Sequence, residues 1–452
     1  KISLPEFFKT LGSFSFNGSF TGFTTDFVTY GKIISEAGNI NTDVSFRPEN
    51  QNNYKLKGLV RGNNIALGLL TDQENLLGKL SMSANIDITA SSFKEFSGDI
   101  TGLIDSVEVN GYKYRNIGLN GILSEKTWDG SVNISEENIK MDLLGMFNFR
   151  DELPEFNFTL NLAQADLFRL NLVDDSSASV SMLLTANFRG NNIDNLDGEI
   201  KLLNSNIGWR GNNLEFYDFS LKTYTENNIS AINLKTDYVD ANLRGQYNFT
   251  GLVNSVKSAL SVLMPSRFSE PPGYKNTAGN RFNFDIQFKN TDKINDFFNT
   301  GFALAANSTI SGYIAPDSIM TINGNAKALG VNSNLFQDLT MKARYTPPVI
   351  LVEITSESFS PLGQSELKGL SVNLSTEPDN FILSIDWDNH EDILNNGKII
   401  ARGTYINKTP GKEKAVLNID IDSTSIFSRN NHWKIDNSTI TIDTSAIKVG
   451  NL

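Results

Sequence analysis

Strict alternation of apolar and polar residues, repeated from one end of the chain to the other, constrains this fold more than any other feature. Phe156-Asn157-Phe158-Thr159-Leu160-Asn161-Leu162 is one such run, and Phe282-Asn283-Phe284-Asp285-Ile286-Gln287-Phe288 is another. Successive side chains of a strand point to opposite faces, so this period builds sheet with one apolar face and one wet face. It predicts further strands at 80–89, 131–134, 146–149, 179–188 and 228–234. Later ones are predicted at 349–354, 371–374, 381–387, 398–405, 415–421 and 438–442. Asn-Gly pairs at 17–18, 110–111, 120–121, 323–324 and 396–397 predict two-residue hairpin turns, hence mostly antiparallel neighbours.

Two segments depart from the strand pattern. Residues 252–264 place Val253, Val256, Leu260 and Leu263 at helical spacing and stop before Pro265, which predicts a helix against the sheet or a lid over it. Residues 292–298 predict one or two further helical turns, and 265–280 a long loop. The organisation expected is strand repeats over 1–251, a helix-and-loop insertion over 252–300 and strand repeats again over 301–452, all in one elongated unit. A loose internal repeat, an aromatic residue two before Asn or Asp, recurs at 114–119, 216–221 and 336–341.

Hydrophobic residues make up 39% of the chain, poor for a large compact globule, yet there are 30 Phe. The apolar material therefore sits in large side chains at alternate positions, which suits an extended one-sided surface. Net charge is −12 with basic residues scattered singly, so nucleic acid is not an expected partner. The absence of cysteine removes disulfides and thiol chemistry. No run of 18 apolar residues occurs, and the start at Lys1 and the mid-pattern stop at Leu452 read as an internal piece of a longer polypeptide.

Searching for chemistry yields little. There is no Walker loop, dinucleotide fingerprint, nucleophile elbow or paired-histidine helix, and only His390 and His432 represent histidine. Asp386, Asp388 and His390 would share a strand face, but this reads as a solvated strand end. Asn418, Asp420 and Asp422 imitate the start of a calcium loop, but Ser423 stands where it needs glycine and Arg429 where it needs glutamate. No catalytic residue, metal or cofactor is expected, and the chain is not read as an enzyme.

What remains is the apolar face, expected to be an all-β, mostly antiparallel sheet curled into a trough with one or two short helices. Its candidate lining residues are Phe156, Phe158, Leu160, Leu162, Phe282, Phe284, Ile286 and Phe288. Phe381, Leu383, Ile385, Leu417, Ile419, Ile421, Ile440 and Ile442 complete the set. The ordinary alternative is the closed core of a sandwich.

Residues 16–46 (FNGSFTGFTTDFVTYGKIISEAGNINTDVSF), 96–123 (FSGDITGLIDSVEVNGYKYRNIGLNGIL), 193–207 (IDNLDGEIKLLNSNI) and 430–443 (NNHWKIDNSTITID) carry a resemblance. In these stretches the chain resembles the TamB family, AsmA-like bridge-like lipid-transfer proteins, in its Bacteroidota form. The resemblance implies a taco-shaped hydrophobic groove in the periplasm that passes phospholipid between the inner and outer membranes. It also implies an inner-membrane anchor and an outer-membrane barrel partner, both engaged through parts of the chain not present here. An assembly factor for outer-membrane proteins, acting as a scaffold that offers sheet edges, is the second reading. An adhesin of sandwiches and a carbohydrate-processing enzyme rank below it.

Overall fold

A computed structural model describes residues 12–450 apart from 24, 51, 92–94, 228, 270–279, 316–317, 362–365, 407–415 and 444–445. It holds 29 strands and three helices among these residues. The chain divides into two compact units between Ser220 and Leu221.

The first unit opens with β1 (Phe14–Phe23), β2 (Asp26–Ser35), β3 (Gly38–Pro48) and β4 (Tyr54–Ala66). A five-residue helix, α1 (Leu67–Thr71), leads into β5 (Leu77–Ala90), β6 (Phe96–Val109), β7 (Tyr112–Ser124) and β8 (Thr127–Ser135). Then come β9 (Ile139–Asn148), β10 (Glu155–Asp166), β11 (Ser179–Arg189) and β12 (Asp197–Trp209), and the unit boundary falls inside β13 (Asn212–Glu226). From β1 to β12 every strand pairs antiparallel with the next, an up-and-down meander. At about 4.8 Å per strand, these twelve make roughly 50 Å of sheet.

The second unit runs through β14 (Ile229–Thr236) and β15 (Val239–Gln246) to the helix α2 (Phe249–Leu263), then β16 (Arg281–Phe288) and α3 (Asp292–Phe298). Short β17 (Phe302–Leu304) precedes β18 (Thr309–Ile314), β19 (Met320–Val331), β20 (Asn334–Thr346) and β21 (Val349–Ser360). The unit continues with β22 (Leu367–Glu377), β23 (Asn380–Asp388), β24 (Asn396–Ile406) and β25 (Val416–Ile421). It finishes with β26 (Thr424–Ser428), β27 (Asn431–Ile435), β28 (Ser438–Ile442) and β29 (Ile447–Gly450). The meander here has two additions: β17 lies beside β19, and the β26–β27 hairpin reaches β24 while β25 pairs with β28. Each unit is an open, curled antiparallel sheet, so the all-β expectation holds.

The Asn-Gly expectation fails at four of its five positions. Asn110-Gly111 does make the turn between β6 and β7, with φ of 50° and 76°. The pairs at 17–18, 120–121 and 323–324 lie inside β1, β7 and β19, and 396–397 opens β24. There the asparagine faces the wet side and the glycine makes room on the apolar side. A Cβ at Gly121 would lie 3.0 Å from the Trp128 ring nitrogen, and one at Gly397 would lie 2.4 Å from the Trp387 ring. The predicted helices are present with α2 beginning earlier than expected, while α1 was not foreseen. Residues 228 and 415 of the predicted strands, and 270–279 of the predicted loop, lie outside the described residues.

Candidate functional site: the apolar face

Register turns the alternation into rows that cross many strands. In the first unit one row reads Gly31, Thr42, Val60, Ala84, Gly102, Leu119, Val132, Leu143, Leu160, Leu184, Leu202, each residue paired with the next. The row on the lip side is aromatic at intervals: Phe27 pairs with Phe46, Trp128 with Phe147, and Phe147 with Phe156, which pairs with Phe188. Ring centroids 4.8–5.9 Å apart join the last three to each other and to Trp128, and 4.9–5.2 Å joins Phe27 to Phe46 and Phe46 to Tyr54.

The second unit repeats the device. Leu243, Phe284, Gly312, Ile322, Ala343, Val352, Leu374, Leu383, Ala401 and Ile421 form a row over ten strands. Ile286, Ile310, Gly324, Met341, Ile354, Val372, Ile385 and Ile399 form the row beside it.

All sixteen candidate residues lie on these faces. Phe156, Phe158, Leu160 and Leu162 are neighbours along β10, and Phe282, Phe284, Ile286 and Phe288 along β16. Phe381, Leu383 and Ile385 stand on β23, with Phe381 opposite Gly403 and Gly403 opposite Ile419. Ile419 pairs with Ile440, Leu417 with Ile442, and Ile421 continues the long row. Leu162 and Phe282 are buried and the other fourteen are half-buried, whereas Asn157, Thr159, Asn161, Asn283, Asp285 and Gln287 are exposed. Prediction missed the part of the face on β2–β9, including Phe27, Phe46, Leu56, Ile88, Leu123 and Trp128. Glycines break the apolar rhythm there, so only the register reveals the row.

The two lips of the first unit differ. At one end Leu170, 1% exposed in the connection after β10, closes a cluster with Ile117, Ile134, Ile139, Leu162 and Ala165. Burial at that lip holds the Tyr112 and Tyr114 hydroxyls above the usual tyrosine range. At the aromatic lip a cavity of about 500 Å³ opens between Phe46, Tyr54, Leu56, Ile88, Ala90, Ser91, Phe96 and Leu123.

In the second unit α2 is tied at both ends. Asn248 caps it, its Oδ1 accepting from the Gly251 N–H at 2.6 Å, and the Asn248 N–H donates to Asn280 Oδ1 at 2.7 Å, just before β16. Past its other end, the Ser266 N–H and Oγ donate to the Asp379 carboxylate in the β22–β23 turn, at 3.0 and 2.8 Å.

The opposite face is polar. Asp87 sits between Lys57 and Lys55, each at 2.9 Å; the two ammonium groups, Lys57 first, hold its carboxyl below the usual range. A broader hollow of about 640 Å³ lies on the wet side of β19–β23 in the second unit, where exposed Leu351 and Ile382 line it together with Thr321, Asn323, Lys342, Arg344, Glu353 and Asn373, so its wall is mixed. Around the acidic stretch of β23, Asp386 pairs with Lys398 at 3.1 Å and Glu391 with Lys368 at 2.8 Å. Asn418 and Asp420 alternate with Ile419 along β25 as strand residues do.

Among the described residues no helix is long and apolar enough to cross a membrane. In comparisons with protein-family models, curated proteins and solved structures, nothing matches the chain.

Proposed function

We propose that this chain is a segment of a lipid-transfer bridge, its apolar faces passing phospholipid acyl chains between the inner and outer membranes through the periplasm. One observation carries the reading: in each unit apolar rows cross ten or more strands while the backbone beneath them is engaged in the ladders. Such a surface offers hydrocarbon contact and makes no hydrogen-bonding demand on its occupant. An acyl chain fits it; a peptide would bring polar groups with nothing to pair with. Removing about 0.8 kcal/mol of hydrophobic cost per CH₂ makes roughly 12 kcal/mol for a sixteen-carbon tail, the barrier that a bridge has to lower. No catalytic group is needed. The membrane locations, anchor and barrel partner come from the family resemblance.

A photo-crosslinking residue at Phe158, on the apolar face, and separately at Asn157, on the wet face, tests this. Phospholipid adducts at 158 and none at 157, read by mass spectrometry of the purified chain, are expected. Absence of lipid at both positions in a folded chain sinks the reading.

The scaffold reading has support from β1. All ten of its residues are exposed, none is charged, and it pairs with β2 alone among the described residues. An uncharged edge is a template for an added strand. Under that reading a lysine at Ser19, which puts a charge on the uncharged edge strand, abolishes partner binding while leaving lipid occupancy intact.

A further inference from the structure

On the wet face of the second unit, two breaks in the alternation meet at one place. β21 opens with apolar residues in succession, Val349-Ile350-Leu351-Val352, and β23 carries Phe381-Ile382-Leu383. Val352 and Leu383 belong to the apolar rows, so Leu351 and Ile382 stand on the opposite side of their strands. Each is 50% exposed. Register sets them on one line, because Leu351 pairs with Ser375 and Ser375 with Ile382. They are therefore two strands apart, roughly 10 Å, with a small hydroxyl side chain between them. Both line the hollow of about 640 Å³.

Its charges also depart from those around it. Six basic residues lie on β19–β24. Lys327 pairs with Asp338, Lys368 with Glu391, Lys398 with Asp386 and Arg402 with Asp422. The other two, Lys342 and Arg344, both line the hollow, and neither forms an ion pair among the described residues. Lys342 has Glu353 opposite it across the ladder. Arg344 has Thr321 on one side and Leu351 on the other, neither of them charged. An unpaired guanidinium thus stands beside exposed hydrocarbon.

The shape and charge select among occupants. A flat bilayer does not reach into a hollow, and an anionic one is repelled by a chain of net charge −12. A small anion would stay largely in water here, where an ion pair gains little. A polypeptide laid over the hollow covers Leu351 and Ile382 together and dries the Arg344 contact as it does so. We propose that this hollow is a docking site for an acidic segment of another protein. An Asp or Glu of that segment takes the Arg344 fork, and an adjoining Leu, Ile or Val packs over Ser375 between Leu351 and Ile382. The site lies on the side away from the apolar rows, so it stands independently of the lipid reading.

A random decapeptide display library tests this, selected on the full chain and counter-selected on the chain carrying Arg344→Gln and Leu351→Ser. Both positions are exposed, and unchanged urea midpoints are expected to show that the variant is folded. The enriched peptides should carry Asp or Glu beside Leu, Ile or Val. A synthetic peptide of enriched sequence should bind the full chain in fluorescence polarisation, and about tenfold more weakly after Arg344→Gln alone. Changing the acid of the peptide to Gln should cost about as much on the unmodified chain, a readout that needs no variant to fold. The two changes together should cost little more than either one. Failure to enrich any peptide overturns the proposal, as do enriched peptides without acid or binding that survives Arg344→Gln. Phosphatidylglycerol vesicles that bind the full chain and not the Arg344→Gln chain would overturn it in favour of a membrane. A dimer in sedimentation that Arg344→Gln dissociates would overturn it in favour of a second copy.

Discussion

At the scale of single residues, the fold rests on glycine lying beneath an aromatic ring. A Cβ at Gly403 would fall 2.0 Å from the Phe381 ring, and one at Gly312 would fall 3.0 Å from Phe284. Gly245 adds backbone geometry to the same role, with φ of 148° and a Cβ position 2.2 Å from the Arg281 carbonyl. A strand residue without a side chain leaves room for a ring on its neighbour to lie across it. Gly403→Ala is therefore expected to destabilise the second unit by about 1–3 kcal/mol through overpacking. Phe381→Leu in the same chain should restore part of that loss, and urea unfolding of the four proteins of this cycle reads both effects. The alternating side-chain chemistry at Phe156–Leu162 and Phe282–Phe288 was legible because every second residue there is large. The glycine positions were misread as turns because Asn-Gly has the same spelling in a hairpin and across the two faces of a strand.

Among elements, α2 is the part whose identity was plain and whose placement was not. Pro265 and the spacing of Leu260 and Leu263 predict it, but Val253 and Val256 on the same stripe are 61% and 49% exposed, so its apolar residues are not all buried. The anchors explain its position. They tie one end beside β16 and the other at the β22–β23 turn, five strand spacings apart, or about 24 Å; fifteen helical residues reach about 22 Å. Helix length thus matches the span along the strand ends, a match that depends on contacts 113 residues apart and leaves no local mark in the sequence. Asp379→Gly, which tolerates the φ of 59° at this turn, removes both Ser266 hydrogen bonds while sparing the backbone bond from the residue 379 N–H to the Leu263 carbonyl. Local opening of α2 should become about 1–3 kcal/mol easier. Amide exchange should quicken over 255–264 and stay unchanged on β10. Uniform exchange changes in both places would mean that the helix is not an independently anchored element.

At the scale of the whole molecule there are two apolar faces, one in each unit. The sequence foretold repeated strands but not the division at Ser220, because that boundary falls inside one strand, β13, rather than in a linker. Each unit owns complete apolar rows, so each should bind hydrocarbon by itself. Leu143, Leu160 and Leu184 are consecutive partners in one row of the first unit, all half-buried. Changing the three to Asp puts carboxylates where an acyl chain would have to displace their water, a cost of several kcal/mol. Lipid adducts at a crosslinker on Phe158 should then fall at least about tenfold, while those at Phe284 in the second unit persist. Raising salt from about 0.05 to about 0.5 M should restore little, because screening weakens repulsion between charges and does not dry a carboxylate. Adducts retained at 158 would show that hydrocarbon burial is not what holds the lipid. Adducts lost at both positions would show that the second face fills only through the first, and the two units would then be one obligatory path.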